Sequence, residues 1–289
     1  MGRVVKMRSA RDRTSGSDAE LVLLAAKLMS AIDTPGFPAA LDALSRAFAG
    51  FDLTAVLAYY NDRNALLLHD GMKPVSSPAV WSTYLAGGYL LDAIYTACRA
   101  QPLSGLYRLS DLAPDAFFEA DYYNSWVIHP CISMESGSLA EEIVFLTPLA
   151  PGLHVCYSLM RSNGWPQFSD EDMTRLRSIE PIVSAAIAKH CQALARPAAG
   201  IAETTGAGLE VTFQTFAGGR LSPREQMIVS LILRGHSSAS IANRLVIAEG
   251  TVKNHRKNIY AKLAISSQTE LFAMFVKHVI EPARMAIAR

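Results

Sequence analysis

The fold of this chain is decided by residues 221–271, which read LSPREQMIVSLILRGHSSASIANRLVIAEGTVKNHRKNIYAKLAISSQTEL. Ser222, Pro223 and Glu225 form a capping box with a proline at the first helical position, so they predict the start of a helix. Gly235 predicts its left-handed end. The spacing of apolar residues predicts three more helices, at about residues 238–245, 249–263 and 267–280. Only a tight turn separates the second helix from the third, which is typical of a helix-turn-helix.

The third of these helices has two unlike faces. Val252, Ile259 and Leu263 share one narrow sector at helical spacing, so we expect them to face inward. The opposite side carries polar and small residues, namely Gly250, Lys253, Asn254, Lys257, Asn258 and Ala261. A merely solvated face usually mixes acids with bases, whereas Glu249 is the single acid of this helix. Lysine and asparagine donate to base edges in the major groove, so the pattern predicts a DNA-reading helix.

At these residues the chain resembles the DNA-binding domain of the LuxR/FixJ-type bacterial transcription regulators. The resemblance has no gap and rests on these positions: Leu221–Glu225, Gly235, Ile241, Ala242, Leu245, Gly250–Lys253, His255, Ile259, Lys262, Leu263 and Ser267. It implies a sequence-specific regulator whose third helix reads DNA, with Lys253, Asn254 and Lys257 at base edges. Thr251, at the start of the helix, is then expected on a backbone phosphate, and Asn258 lies on the same exposed face.

One position of the third helix departs from the family pattern. Ala248 stands where the family usually has a serine that caps the helix. Loss of a capping side chain typically costs about 0.5–2 kcal/mol. We therefore expect this helix to depend more on the packing of Val252 and Ile259, or on DNA itself.

Length, composition and charge favour a two-domain protein that binds DNA. The chain has 289 residues, of which 50% are apolar and 18% are charged, which is enough for a sizeable core. Its net charge of +1 hides an asymmetry. Residues 220–289 hold eleven Lys/Arg against four Glu, hence +7, and the remaining residues hold sixteen Lys/Arg against twenty-two acids, hence −6. A basic C-terminal part beside an acidic N-terminal part fits contact with DNA through the former.

Cysteine spacing and short motifs exclude several classes of protein. The four cysteines, Cys98, Cys131, Cys156 and Cys191, form no CxxC pair, so the sequence predicts neither a disulfide framework nor a zinc site and favours the reducing cytoplasm. There is no run of 18 apolar residues and no signal-peptide cleavage site, so we expect a soluble protein without membrane contact. GxSxG, P-loop and GxGxxG motifs are also absent from the sequence. We therefore expect no metal, no cofactor and no enzymatic activity.

The order of the predicted elements defines the N-terminal part of the chain. Periodicities follow one another as helix, hairpin, helices, hairpin and closing helix, which predicts an α+β fold, an α/β/α sandwich around an antiparallel sheet. The closing segment, residues 168–187, resembles the last helix of GAF-like sensor domains. We divide the chain into a disordered basic tail (1–16), a GAF-like domain that is a candidate ligand sensor (17–195), a linker (196–219) and the helix-turn-helix domain (220–289).

Individual elements of the N-terminal domain follow from the same patterns. Strands are expected at about residues 53–60, 65–69, 106–109, 142–149 and 153–161. Helices are expected at about residues 17–32, 37–48, 79–99 and 169–187, and in the aromatic segment from Phe117 to Trp126. Inside the linker, residues 209–216 are apolar enough to dock on another part of the protein.

Aromatic side chains with polar tips are concentrated in the N-terminal domain. This composition is typical of a small-molecule pocket, and we predict a ligand site at Tyr59, Trp81, Tyr84, Tyr89, Asp92, Tyr95, Tyr123 and Trp126. A buried aspartate is costly unless it is paired, so Asp92 suits an amine or amide donor of the ligand. Two alternatives stay open. The same aspartate could cap a local turn, and the rings could be the core of a ligand-free domain that binds another protein or a second copy.

Trp81, Tyr84 and Asp92 also resemble the Trp-Tyr-Asp constellation that holds acyl-homoserine lactones in quorum-sensing LuxR proteins. Two departures stand out, because Trp81 and Tyr84 are three residues apart where that family usually has four, and Ala93 replaces the proline after the aspartate. An acyl-homoserine lactone sensor is thus an alternative to a sensor of some other small molecule. A phosphorelay receiver is rejected, since the chain opens with helices and shows no alternating βα rhythm.

The fourth helix of the C-terminal domain is apolar almost all round, with Leu271, Phe272, Met274, Phe275, Val276 and Val279. One stripe is enough to pack on its own domain, so the surplus indicates a second partner. The family resemblance implies a homodimer formed by this helix, with Phe272 and Phe275 at the interface. Dimerisation through the N-terminal domain, or through both, stays open. Double-stranded DNA and a small-molecule effector are the other expected partners, and RNA polymerase is a further candidate.

Overall fold

The computed structural model describes residues 10–72, 78–125, 128–130, 139–195 and 209–287. The helices are α1 (Ala10–Ala31), α2 (Phe37–Arg46), α3 (Pro78–Ala86), α4 (Ala93–Ala100), α5 (Leu109–Leu112), α6 (Asp170–His190), α7 (Leu209–Thr215), α8 (Pro223–Leu233), α9 (Ser238–Leu245), α10 (Glu249–Leu263) and α11 (Gln268–Ile287). The strands are β1 (Leu53–Tyr60), β2 (Leu66–Asp70), β3 (Gly105–Arg108), β4 (Leu139–Ala150) and β5 (Leu153–Ser162). Single 3-10 turns occupy Gly88–Leu91, Phe117–Glu119, Gln192–Ala195 and Phe216–Gly219.

Over the described part of the chain, the five strands form one antiparallel sheet in the order β2-β1-β5-β4-β3. Strand β1 pairs along its whole length with β5, from Leu53 opposite Met160 to Tyr60 opposite Leu153. Alternate side chains of β1 enter the cores on opposite faces, because successive residues of a strand point to opposite sides. Helices α1, α2 and α6 cover one face, and α3 and α4 cover the other. The predicted α+β class is confirmed.

Helix α6 shows how the sequence sets a boundary. Ser169 caps it by accepting a hydrogen bond from the Asp172 amide at 3.0 Å, while the Asp172 carboxylate accepts one from the Ser169 amide at 3.0 Å. The helix buries Met173, Leu176 and the rest of its predicted apolar stripe against the sheet. The prediction for this helix is confirmed.

Two predicted helices are wrong in detail. The segment 79–99 is not one helix, since Gly87 (φ 151°) ends α3 and Asp92 starts α4 as its N-cap. An apolar and aromatic composition cannot reveal such a break when the residues on both sides still face the core. The aromatic segment after Phe117 forms only a 3-10 turn followed by further turns up to Asn124. Its rings lie in a core, but they do not follow a helical period.

The chain's two ends also differ from the prediction. Helix α1 begins at Ala10, inside the segment predicted as a disordered tail, because extending an existing helix needs no new nucleus; residues 1–9 lie outside the described residues. Helix α11 continues to Ile287, past Pro282, where an end was predicted. A proline removes one backbone hydrogen bond and tends to kink a helix, but it does not always stop one, and α6 likewise contains Pro181.

The C-terminal domain, α8 to α11, follows the predicted order. The capping box is present, because the Ser222 amide donates to the Glu225 carboxylate at 2.8 Å and the Glu225 amide donates to the Ser222 hydroxyl at 3.3 Å. Gly235 follows α8 with φ 85°, as its glycine predicts. Helix α7 lies inside the predicted linker, and its docking is confirmed: Phe213 stacks on Phe275 of α11 with centroids 4.9 Å apart.

The N-terminal and C-terminal domains share a continuous core, which the sequence did not predict. The Ala116 amide donates to the Gly235 carbonyl at 3.0 Å, and Arg234 Nε donates to the Leu90 carbonyl at 3.3 Å. At the start of α9, the Ser237 amide donates to the Asp115 carboxylate at 3.0 Å. Helix α11 packs against α3 of the N-terminal domain. The surplus apolar surface of α11 is therefore used within the same chain.

Candidate functional site

The face of α10 predicted to read DNA is exposed. Val252, Ile259 and Leu263 are buried against the other helices of the domain. All five predicted DNA-contacting residues are exposed on the other side: Thr251, Lys253, Asn254, Lys257 and Asn258. The apolar face fixes the rotation of the helix, so the polar face is held toward solvent as a rigid surface. In a helix-turn-helix this surface is the one that enters the major groove.

The charges of α10 have different surroundings. Lys253 Nζ lies 2.8 Å from the carboxylate of Glu249, one turn earlier in the helix. Because both side chains are exposed, this ion pair contributes little to stability. Arg256 donates to Gln268 Oε1 at 3.1 Å, which ties α10 to α11. Lys257 is exposed, and the described residues offer it no ion pair. Lys257 is therefore the lysine of this face most available to a nucleic acid.

Lys262 has a structural role that sequence reasoning missed. Its Nζ lies 2.7 Å and 2.8 Å from the two oxygens of the buried Glu225 carboxylate in the capping box of α8. The hydrogen bond from Lys262 holds the pKa of Glu225 below its usual value, aided by the Ser222 amide. The sequence shows Glu225 only as part of the capping box, and its need for a cation follows from its burial in the structure.

The predicted ligand residues of the N-terminal domain form a hydrogen-bonded cluster on one face of the sheet. The hydroxyls of Tyr59 in β1 and Tyr84 in α3 are 2.5 Å apart, and Tyr84 donates to Asp92 at 2.7 Å. Tyr122 donates to the same Asp92 oxygen at 3.3 Å. The other Asp92 oxygen accepts the Ile94 amide at 2.8 Å and so caps α4. Asp92 thus serves both as a cap and as the acceptor of the tyrosine cluster.

Other predicted ligand residues lie around this cluster, with two exceptions. Tyr89 and Tyr95 pack edge to face with centroids 4.9 Å apart, and Tyr95 meets Tyr59 at 5.4 Å. Tyr123 lies apart, packed on Phe118 at 4.9 Å. Trp126 lies outside the described residues. Tyr122, a member of the cluster, was missed because its neighbour Tyr123 has the same composition and only the register of the turn distinguishes them.

Trp81 carries a buried donor that has no acceptor. The ring packs edge to face on Tyr84 with centroids 5.7 Å apart, and its Nε1 finds no hydrogen-bond partner among the described residues. Leaving such a group unpaired costs about 1–3 kcal/mol. A molecule with a carbonyl or other acceptor beside Trp81 would recover that energy.

Two buried carboxyl groups, those of Asp92 and Glu142, lie near the cluster, and neither takes part in an ion pair among the described residues. Burial raises the pKa of Asp92, although the hydrogen bonds from Tyr84 and the Ile94 amide oppose the shift. Burial also raises the pKa of Glu142 in β4 to about 8, with repulsion from Asp92 adding to it. Glu142 is consequently protonated at pH 7 and can donate a hydrogen bond.

A cavity of about 680 Å³ opens beside this carboxyl. It is lined by Arg108, Leu109, Ser110, Phe118, Tyr123, Asn124, Leu139, Ala140, Glu141, Glu142, Gln167, Phe168 and Asp170. Its volume falls in the range of about 300–1,000 Å³ that is usual for small-molecule sites. Glu142 and its neighbour Glu141 both border this space, and Glu141 pairs there with Arg108.

The two residues predicted at the dimer interface are buried in their own chain. Phe275 is fully buried between Phe213 and Phe216, with centroid distances of 4.9 Å and 5.6 Å, and Phe272 is 9% exposed. A side chain that is already buried cannot be buried again by a partner. This arrangement of the chain therefore does not support an interface formed by Phe272 and Phe275, and Phe275 is covered by Phe213 of α7 and by Phe216.

Among the described residues no group of three or more His, Cys, Asp or Glu is arranged to hold a metal ion. None of the helices in the described ranges combines the length and the apolar content needed to cross a membrane.

An exposed, basic reading helix carried by a helix-turn-helix defines a class, the DNA-binding transcription regulators. Residues 220–275 match the family of bacterial regulatory proteins described as the luxR family. A putative HTH-type transcriptional regulator in the exeN 3' region of Aeromonas salmonicida is 33% identical over 145 residues, which are 48% of this chain and 74% of that protein. The probable HTH-type transcriptional regulator GfsR of Streptomyces halstedii is 27% identical over 150 residues, 51% of this chain and 57% of that protein. The chain belongs to the LuxR family and is a transcription regulator.

Two solved structures are similar to this chain. The ligand-binding domain of VqsR from Pseudomonas aeruginosa superposes with a TM-score of 0.49 at 27% identity, over 61% of this chain and 96% of that one. SdiA in complex with octanoyl-rac-glycerol superposes with a TM-score of 0.35 at 17% identity, over 94% of this chain and 97% of that one.

Proposed function

We propose that this regulator binds operator DNA as a homodimer and reads it with α10. The observation that carries the proposal is the exposed face of α10, on which Asn254 and Lys257 stand clear of their own domain. Lys253 and Asn258 flank them, and Thr251 at the start of the helix is placed for a phosphate. Two copies related by a twofold axis would read half-sites about 10 base pairs apart.

Operator binding tests this proposal. About six phosphates neutralised per dimer give a log–log salt slope of roughly −5. Lys257→Ala and Asn254→Ala are each expected to lose about 1–3 kcal/mol, mainly for the correct base pair. Thr251→Ala should weaken all sequences alike. Lys27→Ala, which removes the same charge from an exposed position of α1, is the matched control. Normal operator affinity in folded Lys257→Ala protein would refute the base-reading role.

We further propose that a small molecule bound in the N-terminal domain controls DNA binding. Support comes from the unpaired Trp81 Nε1, the adjoining hydroxyls of Tyr59 and Tyr84, and a cavity large enough for a ligand beside Glu142. The ligand would present one acceptor to the protonated Glu142, which lines the cavity, and a second to Trp81, which lies outside the residues that line it. An acyl-homoserine lactone has such carbonyl groups and is one candidate within this class. We also propose that the N-terminal domain is related to GAF-like sensor domains and that the protein is located in the cytoplasm.

Thermal unfolding of the full chain in the presence of metabolites tests the effector site. A bound effector raises the Tm by mass action. Trp81→Phe keeps the ring but removes the N–H donor, so it should abolish that rise while the protein stays folded. Trp165→Phe, a change at an exposed ring outside the cluster, should retain it. If no metabolite shifts the Tm and Trp81→Phe leaves regulation of DNA binding intact, the domain is a protein-interaction module instead.

A homodimer contact through α1 is part of the proposal. Val22 and Met29 are 68% and 52% exposed, and with Ala26 they lie on one side of the helix. A second copy supplying the same stripe would cover both, as a twofold interface requires. Val22→Asp should convert the dimer to a monomer in light scattering, whereas Lys27→Asp on the same helix should not. An unchanged mass would exclude this contact. RNA polymerase remains a proposed further partner.

A further inference from the structure

A second cavity lies at the junction of the two domains, away from the tyrosine cluster. It has a volume of about 260 Å³ and lies between α4, the segment after α5, and helices α8 and α9. The N-terminal domain contributes Leu91, Ala93, Thr96, Ala97, Ala100, Leu112, Ala113 and Pro114, and the C-terminal domain contributes Arg234, His236, Ser240 and Arg244. The described residues that line it include two arginines and no carboxylate.

Arg234 is a desolvated cation in this cavity. Its Nε donates to the Leu90 carbonyl, its guanidinium lies 5.0 Å from the centre of the Phe213 ring, and the residue lines the cavity. Burial, together with the charges of Arg99 and Arg244 and against the opposing effect of Tyr95, lowers the pKa of Arg234 to about 10. The ion pairs formed by described residues do not include Arg234, Arg244 or Arg99.

The polar side chains around the two arginines are suited to bind an anion. His236 Nδ1 and Ser240 Oγ are 2.8 Å apart. Burial, followed by repulsion from Arg244, lowers the pKa of His236 to about 4, so that its ring is neutral at pH 7. From the opposite wall, Thr96 Oγ1 is buried without a hydrogen-bond partner in the described structure. The nearest acid that acts on His236 is Asp115, whose carboxylate is already bound by Ser237.

We propose that a small anion, a phosphate or a carboxylate on a compact metabolite, binds in this cavity and bridges Arg234 and Arg244 to Thr96. A buried positive charge without a counter-charge is costly, and planar guanidinium groups match the oxygen pairs of both anions. The volume excludes large ligands, since sites for drug-sized molecules start at about 300 Å³. Because its ligands come from both domains, the anion strengthens the docking of the helix-turn-helix domain on the N-terminal domain. This site is separate from the effector site proposed above.

Thermal unfolding of the full chain with inorganic phosphate tests the site. Phosphate is added up to millimolar concentrations at an ionic strength held constant with sodium chloride, and succinate serves as the carboxylate probe. The wild type is expected to show a saturable rise in Tm on the order of 2–4 °C with at least one of the two. Hydrogen exchange should slow in α4 and α9 at the same concentrations.

Variants separate binding in the cavity from general effects of salt. Arg244→Gln should lose the rise, and so should Thr96→Val, which keeps the charge and shape of the site. Arg177→Gln, on the exposed side of α6, should retain it. An equal rise in Arg244→Gln, Thr96→Val and the wild type would overturn the proposal, as would no rise with either probe. If only operator DNA gives stabilisation that depends on Arg244, the anion is a DNA phosphate and the free-anion site is refuted.

Discussion

At the scale of one residue, Ala248 leaves helix α10 without a capping side chain, as the sequence predicts. Its backbone (φ −70°, ψ 145°) has the extended conformation of an N-cap, and its carbonyl accepts the Thr251 amide at 2.9 Å. No side-chain oxygen reaches the first turn of α10. Three other helices with serine caps, α6, α8 and α9, each have that bond. The backbone at Ala248 is therefore already shaped for a cap that the residue cannot provide.

Ala248→Ser is expected to stabilise the protein. A hydroxyl at this position can accept an amide of the first turn without any change of the backbone, which is worth about 0.5–2 kcal/mol. Urea unfolding should show a higher midpoint with the same m-value. Ser237→Ala, at the start of α9, should lower the midpoint because it removes a cap that is present. A lower midpoint in Ala248→Ser would contradict this account of α10.

Val246 is a second residue whose backbone has a conformation that its side chain disfavours. It ends α9 in the left-handed region (φ 54°, ψ 51°), which a β-branched residue rarely adopts, and its side chain is 90% exposed. Left-handed backbone costs an L-residue about 1–2 kcal/mol, and glycine adopts it freely at a smaller entropic cost.

Val246→Gly is therefore expected to raise the free energy of unfolding by about 0.5–1 kcal/mol. Chemical denaturation of the full chain measures it. Ala273→Gly, at an exposed position inside α11, should change stability in the opposite direction by about 0.5–1 kcal/mol. If both substitutions destabilise, the backbone at Val246 is not left-handed in solution.

At the scale of elements, sequence periodicity predicts best the bounds of those helices and strands that depend on residues close together in the sequence. Strand β1 and helices α9 and α10 have the predicted bounds, because their buried residues repeat at the period of the element. The segment 79–99 was predicted poorly, since Gly87 and Asp92 break it within an apolar run. Asp92 was recognised as a candidate cap, but its simultaneous bonds to Tyr84 and Tyr122 depend on contacts distant in sequence.

Glu225 joins two elements, and its charge makes their contact depend on pH. Lys262 holds the pKa of Glu225 below its ordinary value in the folded protein. A carboxyl group with a lowered folded pKa contributes stability that is fully present above the unfolded pKa of about 4.3 and is lost as pH falls through the folded pKa. The link between α8 and α10 should therefore weaken in acid.

Lys262→Met is expected to destabilise the protein at pH 6 by more than at pH 3. At low pH the protonated Glu225 no longer attracts Lys262, so the difference between wild type and variant narrows. Urea midpoints measured from about pH 6 to pH 3 test this. Lys27→Met, which removes an exposed charge from α1, should show a difference that does not narrow in the same window. A constant gap for Lys262→Met would mean that the ion pair is absent in solution.

At the scale of the whole molecule, the docking of the two domains is the feature that the sequence did not reveal. Much of it uses backbone groups, such as the Ala116 amide and the Gly235 and Leu90 carbonyls, which carry no sequence signature. The Thr269 hydroxyl adds a bond to Asp121 at 3.0 Å. The apolar residues all around α11 indicate a second partner, but composition alone does not identify that partner. An apolar helix face can pack either on a second copy of the chain or on another domain of the same chain, so composition does not distinguish the two.

Gly235→Ala is expected to separate the domains. A Cβ at Gly235 would lie 2.5 Å from the Phe117 Cα, a backbone atom that can move only if the N-terminal domain moves, and the residue has φ 85°. Gly218→Ala is the matched control, because Gly218 also has positive φ (59°) but nothing lies within 4 Å of a Cβ there. Both variants should lose about 1–2 kcal/mol to backbone strain, and only Gly235→Ala should lose about 1–3 kcal/mol more through the clash. Denaturation of Gly235→Ala should then show separate transitions for the two domains, and the Ala116 amide, which donates to Gly235, should exchange faster. Identical behaviour of the two variants would show that the domains do not touch at this glycine in solution.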